Sequence, residues 1–156
     1  MSEIGVIGAG SWGMALSRML ANSGHKVEVW SALPNEIEDL ISTRKQKNLP
    51  EMDIPVGVDF TKNIEEVCTA KDILLFAVPS VFVRTTVKKA RPYIPDGQII
   101  IDVAKGIEPD TLLTLTSVIK EELSIDEEHR NVKLVALSGP TPVSYTHLTL
   151  PTILLV

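Results

Sequence analysis

The stretch Gly8-Ala9-Gly10-Ser11-Trp12-Gly13 constrains this chain more than any other. Three glycines at that spacing stand between a short apolar run, Ile4-Gly5-Val6-Ile7, and a helical pattern from Met14 to Leu20. A strand ends there and a helix begins. Gly8 takes the tight turn without steric cost, Gly10 has no side chain to hold a phosphate off the backbone, and Gly13 lets the helix lie close on the strand. The first helical N–H groups and the positive end of the helix dipole then favour an anion such as a pyrophosphate over the turn. A glycine-rich turn alone is weak evidence, since it can be nothing more than a turn. The strand before it and the helix after it are the context that the phosphate-binding motif demands.

With 156 residues, 44% of them hydrophobic, the chain suits one ordinary domain with a real core. A net charge of −5 and the lack of any Lys/Arg cluster interleaved with aromatics argue against nucleic acid as a partner. No stretch reads as a membrane span and no signal peptide opens the chain, so the expected compartment is the cytoplasm. The single cysteine, Cys68, has no second Cys and no His near it in sequence. It reads as a packed thiol, not as a nucleophile or metal ligand, and no metal site is expected.

Taken in order, the helix after the turn closes at Asn22-Ser23-Gly24, and Val27 to Trp30 forms a second strand, parallel to the first, completing a βαβ unit. His25, at the turn between them, reads as a surface residue. At the end of such a second strand an Asp or Glu holds the adenosine ribose, or an Arg accepts a 2′-phosphate. Ser31-Ala32-Leu33 offers neither, so a 2′-phosphate should be tolerated. Asn35 to Lys47 reads as an amphipathic helix with a solvated charged face, Val56 to Phe60 as a short strand and Ile64 to Thr69 as a short helix. The unbroken apolar run Asp72 to Val78 suits a central parallel strand buried on both faces. A helix from Ser80 to Arg91, a strand from Gln98 to Val103, a helix from Thr111 to Leu123 capped by Asp110, and a strand from Asn131 to Leu137 complete the pattern. His129 reads as a surface residue in a polar loop. Strands alternating with helices throughout predict an α/β domain, Rossmann-like and doubly wound about a mainly parallel sheet. Ligands of such sheets bind outside the carboxyl ends of the strands. The Gly8–Gly13 turn, the loop Ala104 to Glu108 and the loop Ser138 to Thr141 converge there.

Four motifs in this order and spacing resemble the bacterial NAD(P)-dependent glycerol-3-phosphate dehydrogenases: Gly8 to Gly13, Val78-Pro79-Ser80, Val103-Ala104-Lys105-Gly106-Ile107-Glu108 and Leu137-Ser138-Gly139-Pro140-Thr141. The loop Asn48-Leu49-Pro50 fits as well, and the likeness covers residues 1 to 141. It implies reversible hydride transfer between NAD or NADP and dihydroxyacetone phosphate, giving sn-glycerol 3-phosphate for phospholipid synthesis. By the same resemblance Gly8, Gly10, Ser11, Trp12 and Gly13 hold the cofactor, Phe82 flanks it, and Lys105 reaches both cofactor and substrate. Gly139 and Thr141 bind substrate. An ammonium at the end of a buried strand suits a phosphate or a developing oxyanion.

The likeness also implies a helical substrate domain of comparable size, carrying the catalytic base lysine, which these residues do not include. No catalytic base is therefore assigned within them, and the full-length protein is expected to be a homodimer. The family often has an Arg shortly after the second strand, where Ala32 and Leu33 stand here, which leaves the choice of NAD or NADP open. After Thr141 the family pattern continues with a His or aromatic, an Ala and acidic residues, yet the chain reads Pro142-Val143-Ser144-Tyr145-Thr146-His147-Leu148. One frame of a common transposon-end sequencing adapter translates to the string from Val143 to Thr152. Residues 142–156 are accordingly expected to be a non-native tail, and 1–141 the dinucleotide-binding domain. Two other functions remain open at this point: a dehydrogenase of the same superfamily acting on another hydroxy compound, and a nucleotide-binding module without catalysis.

Overall fold

The computed structural model describes residues 1–125 and 127–137. Six parallel strands form one sheet: β1 (Glu3–Ile7), β2 (Lys26–Trp30), β3 (Val58–Thr61), β4 (Ile73–Phe76), β5 (Ile99–Asp102) and β6 (Lys133–Ala136). Their spatial order is β3-β2-β1-β4-β5-β6, so the chain runs outward from β1 in one direction and then restarts beside it at β4. That reversal is the point at which open α/β sheets bind their ligands.

Alternation along the strands divides the core in two. Ile7, Leu74, Phe76 and Ile100 point to one face, while Ile4, Val6, Leu75 and Ile101 point to the other, as a side-chain period of two requires. Helices α1 (Ser11–Asn22) and α2 (Pro34–Thr43) bring Met14, Leu16, Ile37 and Leu40 onto the second face. Helices α3 (Ile64–Cys68), α4 (Val83–Ala90) and α5 (Leu115–Leu123) cover the first. Cys68 is buried there, and burial pushes its thiol up to about 12, as a packed side chain requires. Among the described residues no helix is long and apolar enough to cross a membrane.

Local expectations differ from the structure at four places, each through a contact that the local pattern does not show. The amphipathic helix stops at Thr43 and not at Lys47, because Arg44 turns left-handed at φ 52°. Its guanidinium donates to Val58 O at 2.9 Å, to Ile54 O and to Pro55 O, and lies 5.3 Å from the centroid of the Phe60 ring. This charge is therefore not part of a solvated face. Helix α5 starts at Leu115 and not at Thr111: the chain first folds back through an Ile107–Thr114 bridge with Leu112 at φ 57°, and Thr114, in place of Asp110, accepts from Ser117 N as the cap. His129 is buried, with Nε2 3.0 Å from Arg91 O and 3.1 Å from Ile94 O. Two carbonyl partners make Nε2 the protonated nitrogen. His25 is half-buried, its Nδ1 accepting from Ser2 N.

Candidate functional site

The ends of β1, β2, β4 and β5 open into one cleft of about 720 Å³. Its floor is the glycine-rich turn. Gly8 adopts φ 122° and donates its N–H to Trp30 O at 2.8 Å, which draws the turn over the end of β2. A Cβ on Gly8 would fall 2.6 Å from Ala77 O, and one on Gly13 would fall 2.0 Å from Gly8 O. Both positions therefore admit only a hydrogen. Gly10 is different: a Cβ there would meet nothing within 4 Å, because its open side is the cleft.

Gly10 is also the N-cap of α1, where no side chain caps the helix and no acidic residue occupies the first turn. Met14 N donates to Gly10 O as an early helical bond, leaving the amides before it directed at the cleft. The positive end of a 12-residue helix thus meets an unobstructed backbone, an arrangement that suits an anion. Trp12 flanks this position. Its indole Nε1 donates to Val103 O at 3.2 Å, tying the start of α1 to the end of β5.

Phe82, Val78 and Pro79 line the cleft beyond β4, and Lys105 lines it beyond β5. Phe82 lines the cleft while 57% exposed. Lys105 follows Asp102, whose carboxylate is fixed by Ala104 N and the Thr116 hydroxyl, and whose burial raises its pKa. The Lys105 ammonium reaches Leu137 O at 3.4 Å, at the threshold of the loop that follows β6. Glu108, at the far end of the Lys105 loop, is clamped by Arg84 through Nε–Oε1 and Nη2–Oε2 contacts of 2.7 and 2.8 Å. That two-point hydrogen bond holds the Glu108 carboxyl at about 2. Arg84 also pairs with Glu121 and Glu122, so α4, α5 and this loop meet at one guanidinium.

Of the residues singled out by sequence, Gly8, Gly10, Ser11, Trp12, Phe82 and Lys105 line this one cleft, with Gly13 packed immediately behind the turn. Gly139 and Thr141 lie outside the described residues. The one carboxylate among the described cleft residues escaped the sequence reading. The end of β2 does face a carboxylate, but it comes from the first turn of α2: Glu36 Oε2 accepts from Ser31 Oγ at 2.5 Å and lines the cleft beside Ala32 and Leu33.

A parallel sheet in this order, with a glycine turn and an uncapped helix at its switch point, defines a dinucleotide-binding domain of the dehydrogenase type. Residues 3–154 match the family model described as NAD-dependent glycerol-3-phosphate dehydrogenase N-terminus. The chain belongs to that family. Over 152 residues it is 64% identical to glycerol-3-phosphate dehydrogenase NAD(P)+ 2 of Lactobacillus delbrueckii subsp. bulgaricus, covering 97% of this chain and 45% of that protein. It is 44% identical to the glycerol-3-phosphate dehydrogenase NAD(P)+ of Agathobacter rectalis, covering 97% of this chain and 44% of that one. The chain thus spans less than half the length of these curated relatives. The fold also matches the crystal structure of glycerol-3-phosphate dehydrogenase from Coxiella burnetii, with a TM-score of 0.80, 24% identity, and coverage of 96% of this chain and 44% of that one.

Proposed function

We propose that this chain is the cofactor-binding part of an sn-glycerol-3-phosphate dehydrogenase, which transfers hydride reversibly between NAD(P)H and dihydroxyacetone phosphate. The observation that carries it is the convergence of the Gly10 opening, the α1 N-terminus and Lys105 on one cleft. The cleft fits a dinucleotide. Gly8, Gly10, Ser11 and the α1 amides would hold the pyrophosphate, Gly13 keeps the helix close behind the turn, and Trp12 and Phe82 would flank the cofactor. The nicotinamide supplies the hydride in reduction and accepts it in oxidation.

In reduction the substrate carbonyl oxygen gains negative charge as the hydride reaches its carbon. Lys105 would stabilise that charge or the substrate phosphate, and Gly139 and Thr141 would bind the substrate. The proton would come from the ammonium form of the lysine that the resemblance implies outside these residues, the same group acting as base in oxidation. The test is the full-length protein assayed with dihydroxyacetone phosphate by NADH and NADPH absorbance. Lys105→Met should lower kcat by about 100- to 1,000-fold, the usual effect of losing one oxyanion donor, while NADH still binds. An unchanged kcat removes Lys105 from the mechanism. Turnover of a different keto compound only would select another dehydrogenase of the superfamily, and binding without turnover of any would select a nucleotide-binding module.

The resemblance supports a cytoplasmic homodimer for the full-length protein, which light scattering of the purified protein and cell fractionation would test. The adapter-like string supports reading 142–156 as a non-native tail after a 1–141 domain. Resequencing the gene across codon 141 decides that point.

A further inference from the structure

The relatives carry both dinucleotides in their names, and the absence of an acid at Ser31-Ala32-Leu33 would leave a 2′-phosphate unopposed. The structure places an acid there by another route. Pro34 opens α2 immediately after the β2 turn, so the first helical turn folds back over the end of β2 and carries Glu36 into the cleft wall. Ser31 fixes it: the hydroxyl is buried, accepts from Leu33 N at 3.2 Å and donates to Glu36 Oε2 at 2.5 Å. Among the described residues no donor meets the other carboxylate oxygen, and no lysine or arginine forms an ion pair with Glu36. A carboxylate held by one oxygen presents the other to whatever lies beyond the end of β2.

We propose that Glu36, held by Ser31, is the residue that makes this domain prefer NAD(H) over NADP(H). It accepts from the adenosine ribose hydroxyls and repels a 2′-phosphate. This rests on the dinucleotide reading above, since the end of β2 is the adenosine side of the cleft only if the pyrophosphate sits on α1. Charge opposes it from one direction. Lys45 and Lys47 line a neighbouring hollow that shares Leu33 and Glu36 with the cleft and also contains Asp39. If those ammonium groups reached the ribose position they would favour the phosphate. Salt therefore separates the two possibilities by sign: screening weakens a repulsion and an attraction alike, but moves the NADPH/NADH affinity ratio in opposite directions.

The experiment is equilibrium titration of the full-length protein with NADH and NADPH, read by nucleotide fluorescence and independent of turnover. The wild type should bind NADH at least 10-fold more tightly, about 1.4 kcal/mol, and the gap should narrow between low and high salt. Glu36→Gln keeps an oxygen to accept from Ser31 but removes the charge, and should close most of the gap by strengthening NADPH binding. Ser31→Ala keeps the charge but frees the side chain, and should close only part of it. Equal affinities in the wild type, a gap that widens with salt, or a ratio unchanged in Glu36→Gln would each overturn the assignment while leaving the dinucleotide reading intact. Failure of the wild type to bind either nucleotide overturns both.

Discussion

Gly10 and Gly13 belong to one motif, yet enlarging each should damage a different property. A Cβ on Gly13 stands 2.0 Å from Gly8 O and 3.3 Å from the Ala77 Cβ. Close carbon–oxygen contacts settle at about 3.3 Å, so in Gly13→Ala the start of α1 must retreat by roughly 1 Å. Overpacking of that kind costs about 1–3 kcal/mol, and the helix propensity gained over glycine offsets at most about 1 kcal/mol of it. A net loss of about 1.5 kcal/mol, at about 2–4 °C per kcal/mol for a chain of this size, lowers the melting midpoint by about 3–6 °C. Gly10→Val meets open space on an extended backbone, φ −64° and ψ 175°. It should cost only the difference between a good and a poor N-cap residue, about 1 kcal/mol or less. Its side chain instead projects into the space proposed for the phosphate, and NADH affinity should fall by at least about 100-fold, near 3 kcal/mol. Thermal melts followed by circular dichroism and NADH titrations on both variants separate the effects. A Gly13→Ala protein that melts with the wild type would refute the tight helix–strand contact. An unchanged NADH affinity in Gly10→Val would refute the phosphate assignment.

Glu108 titrates at about 2 in the fold against an ordinary 4.5, so its bond to Arg84 stabilises the fold above pH 4.5, and that contribution is lost as the pH falls from 4.5 toward 2. Chemical denaturation at pH 7 should therefore separate wild type from Glu108→Gln, and the difference should shrink steadily at pH 4 and pH 3; a constant difference would rule out the linkage. His129→Ala removes the donor shared by Arg91 O and Ile94 O and should cost about 1–3 kcal/mol, read as an earlier denaturation midpoint with an unchanged slope. The 156-residue chain should bind NADH without turning over dihydroxyacetone phosphate, since hydride transfer needs a proton donor within hydrogen-bond reach and the family resemblance assigns that role to a lysine outside these residues. Rates equal to those of the full-length protein would show that the catalytic group lies within these residues.

The parts of the fold that were legible from sequence are those whose residues report a single local fact. Ile4 to Ile7 and Leu74 to Phe76 are apolar because they are buried, Gly8 and Gly13 are bare because they press against backbone, and Gly10 is bare beside the open cleft. The misread parts depend on contacts that the pattern of their own stretch does not report. Nothing in Ser42-Thr43-Arg44-Lys45 says that a helix ends there, because the reason lies in the carbonyls of residues 54, 55 and 58. His129 sits among Glu127, Glu128 and Arg130, which are exposed, and its burial follows from two carbonyls after α4. Glu36 looks like one more charge on an amphipathic helix until the Pro34 start turns it over β2. A Ser five residues before a Glu, across a Pro at the helix start, was the available signal for it.

Arg44 has a consequence for how this domain opens. The chain holds one cysteine and no covalent tie, yet one guanidinium grips three carbonyls and an aromatic face across residues 44–60. Two of those partners, Val58 and Phe60, belong to the outermost strand β3. The segment after α2 therefore cannot loosen by degrees: releasing it means surrendering the edge strand too, and docking that strand restores the whole segment at once. Amide protons from Arg44 to Thr61 should exchange with solvent as one cooperative block, a closed latch where a connection of this length would ordinarily be the first part of the molecule to breathe.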